Sequence, residues 1–179
     1  MKRRAATSEA VGAVAIYSAA VFLHFVNAFG GGALGLVFGA VNESVWEHVK
    51  IFSFAYVGWA ILQLCWLRAP FRQYAVAKCI GLYLLMGGMI GFYYAYTAFT
   101  GGNILAVDIL SSLVLLLLVQ GLSYALEVRD GHLGELFVPA MLLLLLYYLM
   151  FFSFTVFAPR LPLFRDPVTG GYGIVTAFQ

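Results

Sequence analysis

Five apolar runs, each about as long as a bilayer is thick, leave this chain few ways to fold. A helix needs about 20 consecutive apolar residues to cross the hydrocarbon core. The runs are Ala10–Phe29, Val45–Leu67, Tyr74–Phe99, Ile104–Leu126 and Leu136–Phe157. They are too long for barrel strands and lack period-two alternation, which excludes a closed β-barrel. Only 10% of the residues are charged and 63% are hydrophobic, where a soluble domain carries about 25% charged residues. That polar surface cannot cover a water-soluble globule. The expected fold is all-α: a polytopic membrane helical bundle of about five transmembrane helices. Residues 1–157 form one domain in this reading, and residues 158–179 form a Pro/Gly-rich tail.

The basic residues set the expected orientation. Lys2, Arg3 and Arg4 precede the first run, Arg68, Arg72 and Lys78 lie at the second connection, and Arg129 lies at the fourth. The first and third connections hold only Lys50, at a helix start. Positive charge stays on the cytoplasmic side, so the N-terminus is expected inside and the C-terminus outside a bacterial plasma membrane. The net charge of +2 is too small to imply nucleic acid, and the expected partners are membrane lipids and further copies of the chain. Cys65 and Cys79 face the basic connection, where a disulfide is not expected. Lys-Arg-Arg followed by an apolar run and Val26-Asn27-Ala28 also fits a cleavable signal, although the run is long and carries His24.

Turn and packing signals divide the runs. Ser44-Val45-Trp46-Glu47 fits a capping box, Gly30-Gly31-Gly32 ends the first helix, and Thr100-Gly101-Gly102-Asn103 makes a tight turn. Gly87 and Gly91 form a small-xxx-small pair that lets another helix approach, with Gly81 and Gly88 adding to that packing. Ala33–Val41 is apolar and too short to span; it reads equally as a re-entrant half-helix or as an apolar loop.

Polar residues gather at one depth. At about 1.5 Å per residue, His24 lies roughly 7 Å below the outer end of the first run. Glu47 and His48 lie roughly 5 Å, and Asp108 roughly 6 Å, below the starts of theirs. Glu43, Glu47 and Lys50 share one helix face. Glu43, Glu47, His48 and His24 are thus candidate ligands for a divalent metal such as zinc. Glu47, His48, Glu43 and Asp108 are candidate catalytic groups for acid–base work. The structural alternative is that acids in a first helical turn only favour the helix dipole and that Lys50 only pairs with Glu43 or Glu47. No ionisable group is expected near the midplane or in the inner half. In the tail, Arg160 or Arg165 is expected to fold over the mouth and neutralise Glu43 or Glu47, against the alternative of a loose interfacial segment.

The run Asn42-Glu43-Ser44-Val45-Trp46-Glu47-His48-Val49-Lys50 and the tail from Pro162 to Ile174 together resemble a family of small, uncharacterised bacterial membrane proteins. These carry an N-E-S-V-W-E-H-x-K run after their first helix and a similar Pro/Gly tail. The resemblance covers nearly the whole chain and implies an integral membrane protein with several helices. It brings no activity and no residue roles with it. Residues after Ile174 lie beyond the shared pattern.

The leading functional expectation is a small membrane-embedded hydrolase acting on lipid or peptide at the outer leaflet. The other expectations are an ion- or proton-coupled carrier or channel subunit, and a structural assembly protein that would tolerate Glu47→Gln.

Overall fold

The computed structural model describes residues 2–174 apart from 68 and 130, with the side chain of Lys2 also left out. The expectations for Arg68 and for the residues after Ile174 lie outside the described residues. Six α-helices follow one another: α1 (Lys2–Phe25), α2 (Gly32–Phe38), α3 (Val45–Gln63), α4 (Phe71–Thr100), α5 (Leu105–Glu127) and α6 (Phe137–Val156). Short 3-10 turns precede α6 at Leu133–Leu136 and follow it at Pro162–Phe164. Among the described residues there is no strand, only an isolated antiparallel bridge between Arg165 and Tyr172.

Four helices, α1, α4, α5 and α6, are long and apolar enough to cross a membrane. The relation between polarity and burial is the reverse of that in a soluble bundle. The apolar window of α6 is only 17% buried, and it leaves Leu142, Leu143, Leu145, Leu146 and Leu149 exposed. Contiguous apolar surface of this size needs lipid or a partner to cover it. The most enclosed helix is instead α3, which carries Glu47, Lys50, Ser53 and Gln63 and buries all four.

Helix α3 packs on α1 and α4, and α5 closes the other side by packing on α1 and α4. Helix α6 lies on α4 and reaches α3 through Tyr147, whose hydroxyl shares a 2.7 Å hydrogen bond with Ser53. Small residues allow the close approaches. A Cβ on Gly81 would collide with the Tyr56 hydroxyl, and one on Gly88 with Leu115. Gly87 and Gly91, expected to be the packing pair, face open space instead. The turn at Gly101 takes a left-handed conformation (φ 74°), and its N–H bonds the Thr97 carbonyl at 2.9 Å to cap α4, the usual task of glycine at a helix end.

Two helices extend beyond their apolar runs, with consequences for charge placement. Helix α1 starts at Lys2 and not near Ala10, so Glu9 lies inside it. Helix α4 starts at Phe71, so Lys78 is two turns inside a helix and buried, not part of a basic connection.

Candidate functional site

The run Asn42–Lys50 folds as a helix cap whose side chains part company. Ser44 is the N-cap of α3, and its hydroxyl accepts the Glu47 N–H at 3.4 Å. Only this half of the expected capping box forms. The Ser44 N–H goes to Asn42 Oδ1 at 2.8 Å, which frees the Glu47 carboxylate for other partners. Asn42 in turn donates to the Gly173 carbonyl at 2.7 Å and so ties the cap to the tail.

Glu43 precedes the cap, and its carboxylate sits between two imidazoles. His24 Nε2 of α1 is 3.6 Å from Oε1, and His48 Nε2 of α3 is 3.6 Å from Oε2. The two rings stand 5.2 Å apart, tilted by 35°. One ligand atom from each residue falls within 4.8 Å of the others, a spacing that suits a metal ion. A separation of 3.6 Å is too long for a good hydrogen bond. It is close to the edge of about 3.3 Å that tetrahedral ligands define around an ion with bonds of about 2.0–2.1 Å.

The outer bond of His48 suits that use, while His24 Nδ1 is buried with no partner among the described residues. His48 Nδ1 lies 2.9 Å from the Ser44 carbonyl. A carbonyl only accepts, so Nδ1 carries the proton and Nε2 presents its lone pair to the cluster. Metal-bound histidines are oriented in this way. The three side chains are 23%, 27% and 37% exposed for His24, Glu43 and His48: sheltered, but open to a ligand. They open onto a cavity of about 920 Å³ between α1, α3, α4 and α5, closed on one side by Pro167 and Val168 of the tail. Its walls are largely apolar, and Val21 and Phe25 of α1 and Leu105 and Ile109 of α5 are both lining and exposed.

The other expected site residues have different surroundings. Glu47 is 2% exposed and faces away from the histidines. Its Oε2 accepts the Val41 N–H at 3.1 Å and meets Lys50 Nζ at 2.5 Å, and its Oε1 accepts from Thr155 at 3.3 Å. It is therefore apart from the metal-type cluster, because Lys50 on the same helix and Thr155 on α6 hold it. Asp108 lines the same cavity, but its oxygens accept from Tyr96 at 2.5 Å and Asn103 at 3.4 Å. The tail does pack over this end, though through Phe164 against Trp46 (ring centroids 4.9 Å apart) and the Asn42–Gly173 bond. Neither Arg160 nor Arg165 pairs with Glu43 or Glu47 among the described residues, since Lys50 already occupies the position beside Glu47.

A family model described as a family of unknown function (DUF6512) matches residues 4–174. The chain belongs to DUF6512. No curated protein matches it. No solved structure matches it. The family match includes both the cap run and the tail, so the cluster and the loop that closes its cavity lie within the DUF6512 region.

The sequence reading missed a second charged group in this DUF6512 chain. Lys78 Nζ lies 2.5 Å from Glu9 Oε1 and 3.3 Å from Glu127 Oε1, and all three residues are buried. Gln63 donates to Glu9 at 3.0 Å, and Ser123 donates to Glu127 at 3.2 Å. The group sits toward the N-terminal end of α1, whereas His24 is at its C-terminal end. Lys78, expected in a connection, lies instead within α4, buried with Glu9 of α1 and Glu127 of α5. A signal existed: Gln120, Ser123 and Glu127 recur at i, i+3 and i+7 on one face of α5.

Proposed function

We propose that the chain is a five-span membrane-embedded hydrolase whose His24, Glu43 and His48 hold a divalent ion such as zinc. In this reading α3 is the fifth span. The N-terminus is cytoplasmic and the cluster faces the outside of a bacterial plasma membrane, on the distribution of lysine and arginine. The observation that carries the proposal is a two-histidine, one-carboxylate set opening onto a largely apolar cavity of about 920 Å³. Three protein ligands with an open position are the pattern of catalytic rather than structural zinc sites. His24, Glu43 and His48 would hold a zinc ion there, which would supply an activated water and Lewis acidity toward a carbonyl oxygen.

The chain's own residues do the rest. The Ser44 carbonyl fixes the His48 ring so that Nε2 points inward. Val21, Phe25, Leu105 and Ile109 exclude water and seat the apolar part of a lipid ester or a hydrophobic peptide. Asp108, hydrogen-bonded to Tyr96, offers a carboxyl on the cavity wall to take a proton from the attacking water and deliver it to the departing alkoxide or amine. Glu47 has a positioning role, holding the Val41–Ser44 segment from which Glu43 projects.

The test is elemental mass spectrometry of detergent-purified protein together with a panel of fluorogenic lipid and peptide substrates. The expected result is a near-stoichiometric divalent ion in wild type, with metal and hydrolysis both lost in His24→Ala, Glu43→Gln and His48→Ala. A folded wild type that takes up no added zinc, cobalt or manganese would sink the proposal.

One observation favours a second reading, an ion- or proton-coupled carrier: the buried Glu9–Lys78–Glu127 group. Intramembrane charges of this kind mark ion and proton pathways. Substrate-independent dissipation of a pH gradient by proteoliposomes, abolished in Glu9→Gln, would place this reading first.

A further inference from the structure

The Glu9–Lys78–Glu127 group is an unbalanced charge set in a buried place. Two carboxylates and one ammonium sum to one negative charge. Glu9 is 2% and Glu127 8% exposed, and a buried charge without a partner is costly enough to change its state or find one. No arginine or further lysine comes within ion-pair range of either carboxylate among the described residues.

The hydrogen bonds are distributed in a telling way. Every donor goes to the same oxygen of each carboxyl group. Lys78 and Gln63 address Glu9 Oε1, and Lys78 and Ser123 address Glu127 Oε1. Glu9 Oε2 and Glu127 Oε2 are both buried with no donor among the described residues. The two carboxyl groups nevertheless crowd one ammonium: Lys78 Nζ lies 2.5 Å from Glu9 Oε1 and 3.3 Å from Glu127 Oε1, which puts those oxygens within the sum of the two distances, about 5.8 Å, of each other. Two ionised carboxylates can only accept, so at that separation they repel each other and neither can satisfy the other's orphan oxygen; a proton on one of them removes the excess charge.

The neighbours from each helix do not alter the count. Helix α3 contributes Tyr56 and the neutral Gln63, and α4 contributes Tyr74 beside Lys78. Tyr74 donates to the Ala60 carbonyl and Gln63, and Cys79 points away to the Ala140 carbonyl. The ammonium of Lys78, already against both carboxylates, argues against a metal cation as the missing positive charge.

We propose that Glu9 and Glu127 hold one proton between them at neutral pH, making the Glu9–Lys78–Glu127 group a buried proton-binding site. The site is separate from the His24–Glu43–His48 cluster, and the proposal does not depend on which reading of that cluster holds. Glu9 and His24 are fifteen positions apart on α1, or about 22 Å along the helix.

Infrared spectroscopy of the full chain in lipid tests this directly. Wild type at neutral pH is expected to show a protonated-carboxyl C=O stretch that shifts in D2O. The band should vanish in Glu9→Gln and in Glu127→Gln, because each leaves a neutral pair of one carboxylate with Lys78. Glu43→Gln and Glu47→Gln should keep it. Lys78→Met, if it folds, should about double its intensity, since both carboxyls must then be neutral. Absence of the band in folded wild type overturns the proposal without any variant. So does a band that survives in either Glu9→Gln or Glu127→Gln, or one that sodium or potassium ions abolish.

Discussion

Lys50 Nζ lies 2.5 Å from Glu47 Oε2, with the two side chains only 1% and 2% exposed. The pair is one helical turn long and knits three elements together. Lys50 also donates to Thr155 of α6 at 3.2 Å and to the Leu36 carbonyl at the end of α2 at 3.4 Å. A cation at that carbonyl end also favours the helix dipole.

Breaking this pair on one side should therefore cost more than removing it. Glu47→Gln or Lys50→Met leaves one buried charge uncompensated and is expected to destabilise the fold by about 3–5 kcal/mol. The double variant Glu47→Leu/Lys50→Met should recover part of that loss. Unfolding in mixed detergent micelles checks it, and equal losses in the singles and the double would show that the two residues are not coupled.

Metal retention should separate Glu47 from its neighbours in sequence. His24→Ala, Glu43→Gln and His48→Ala each remove a ligand atom of the cluster and should weaken zinc binding by more than the roughly 10–100-fold typical of an outer-shell change. Glu47→Gln, under conditions where it remains folded, should keep its metal. Zinc titration against a competing chelator reads the difference; loss of metal in Glu47→Gln equal to that in His48→Ala would remove the distinction.

Glycine substitutions should split along the face of α4. Gly88→Leu meets Leu115, and Gly81→Leu meets Tyr56; each is expected to destabilise by about 1–3 kcal/mol or more. Gly87→Leu meets open space and should leave the stability of the single chain within about 0.5 kcal/mol. Thermal denaturation in detergent gives all three values, and a Gly87→Leu protein as unstable as Gly88→Leu would show that the outer face of α4 is covered.

The tail should be held by its aromatic anchor rather than by its arginines. Phe164 is 5% exposed and packs on Trp46 and Phe154, so Phe164→Ala should cost about 3 kcal/mol. Asn42→Ala removes bonds to the Gly173 carbonyl and the Ser44 N–H, each worth about 1 kcal/mol. Both should speed proteolysis beyond Phe157, while Arg160→Ala and Arg165→Ala should not. Faster cleavage in the arginine variants would restore a charged latch.

The helical, apolar character of the chain was legible in the sequence, and run length and rise per residue put His24, Glu47, His48 and Asp108 at one level, of which His24, His48 and Asp108 line one cavity. The partners were not. Glu47 and His48 are adjacent, but about 100° of helix rotation sends one toward Lys50 and Thr155 and the other toward Glu43. Only the packing of α6 and α1 decides which is which. Glu9, Lys78 and Glu127 escaped because each lies at the edge of an apolar run, where a charged residue ordinarily reads as a loop. The helices continue past those edges since the three charges, Gln63 and Ser123 meet one another in the interior.

The burial of α3 bears on how the chain is made. A segment with Glu47, Lys50, Ser53 and Gln63 all buried partitions into lipid less readily by itself than the leucine-rich α5 and α6, since charged and amide side chains oppose insertion. Its carboxylate and amine pair with each other within α3, but the Thr155 hydroxyl that bonds both, and the Gly173 carbonyl that holds Asn42, exist only once α6 and the segment after it have been synthesised. During biogenesis α3 should therefore linger at the insertion machinery, or at the bilayer surface, until the last helix emerges. Truncation before α6 should then release a product that quality-control proteases remove.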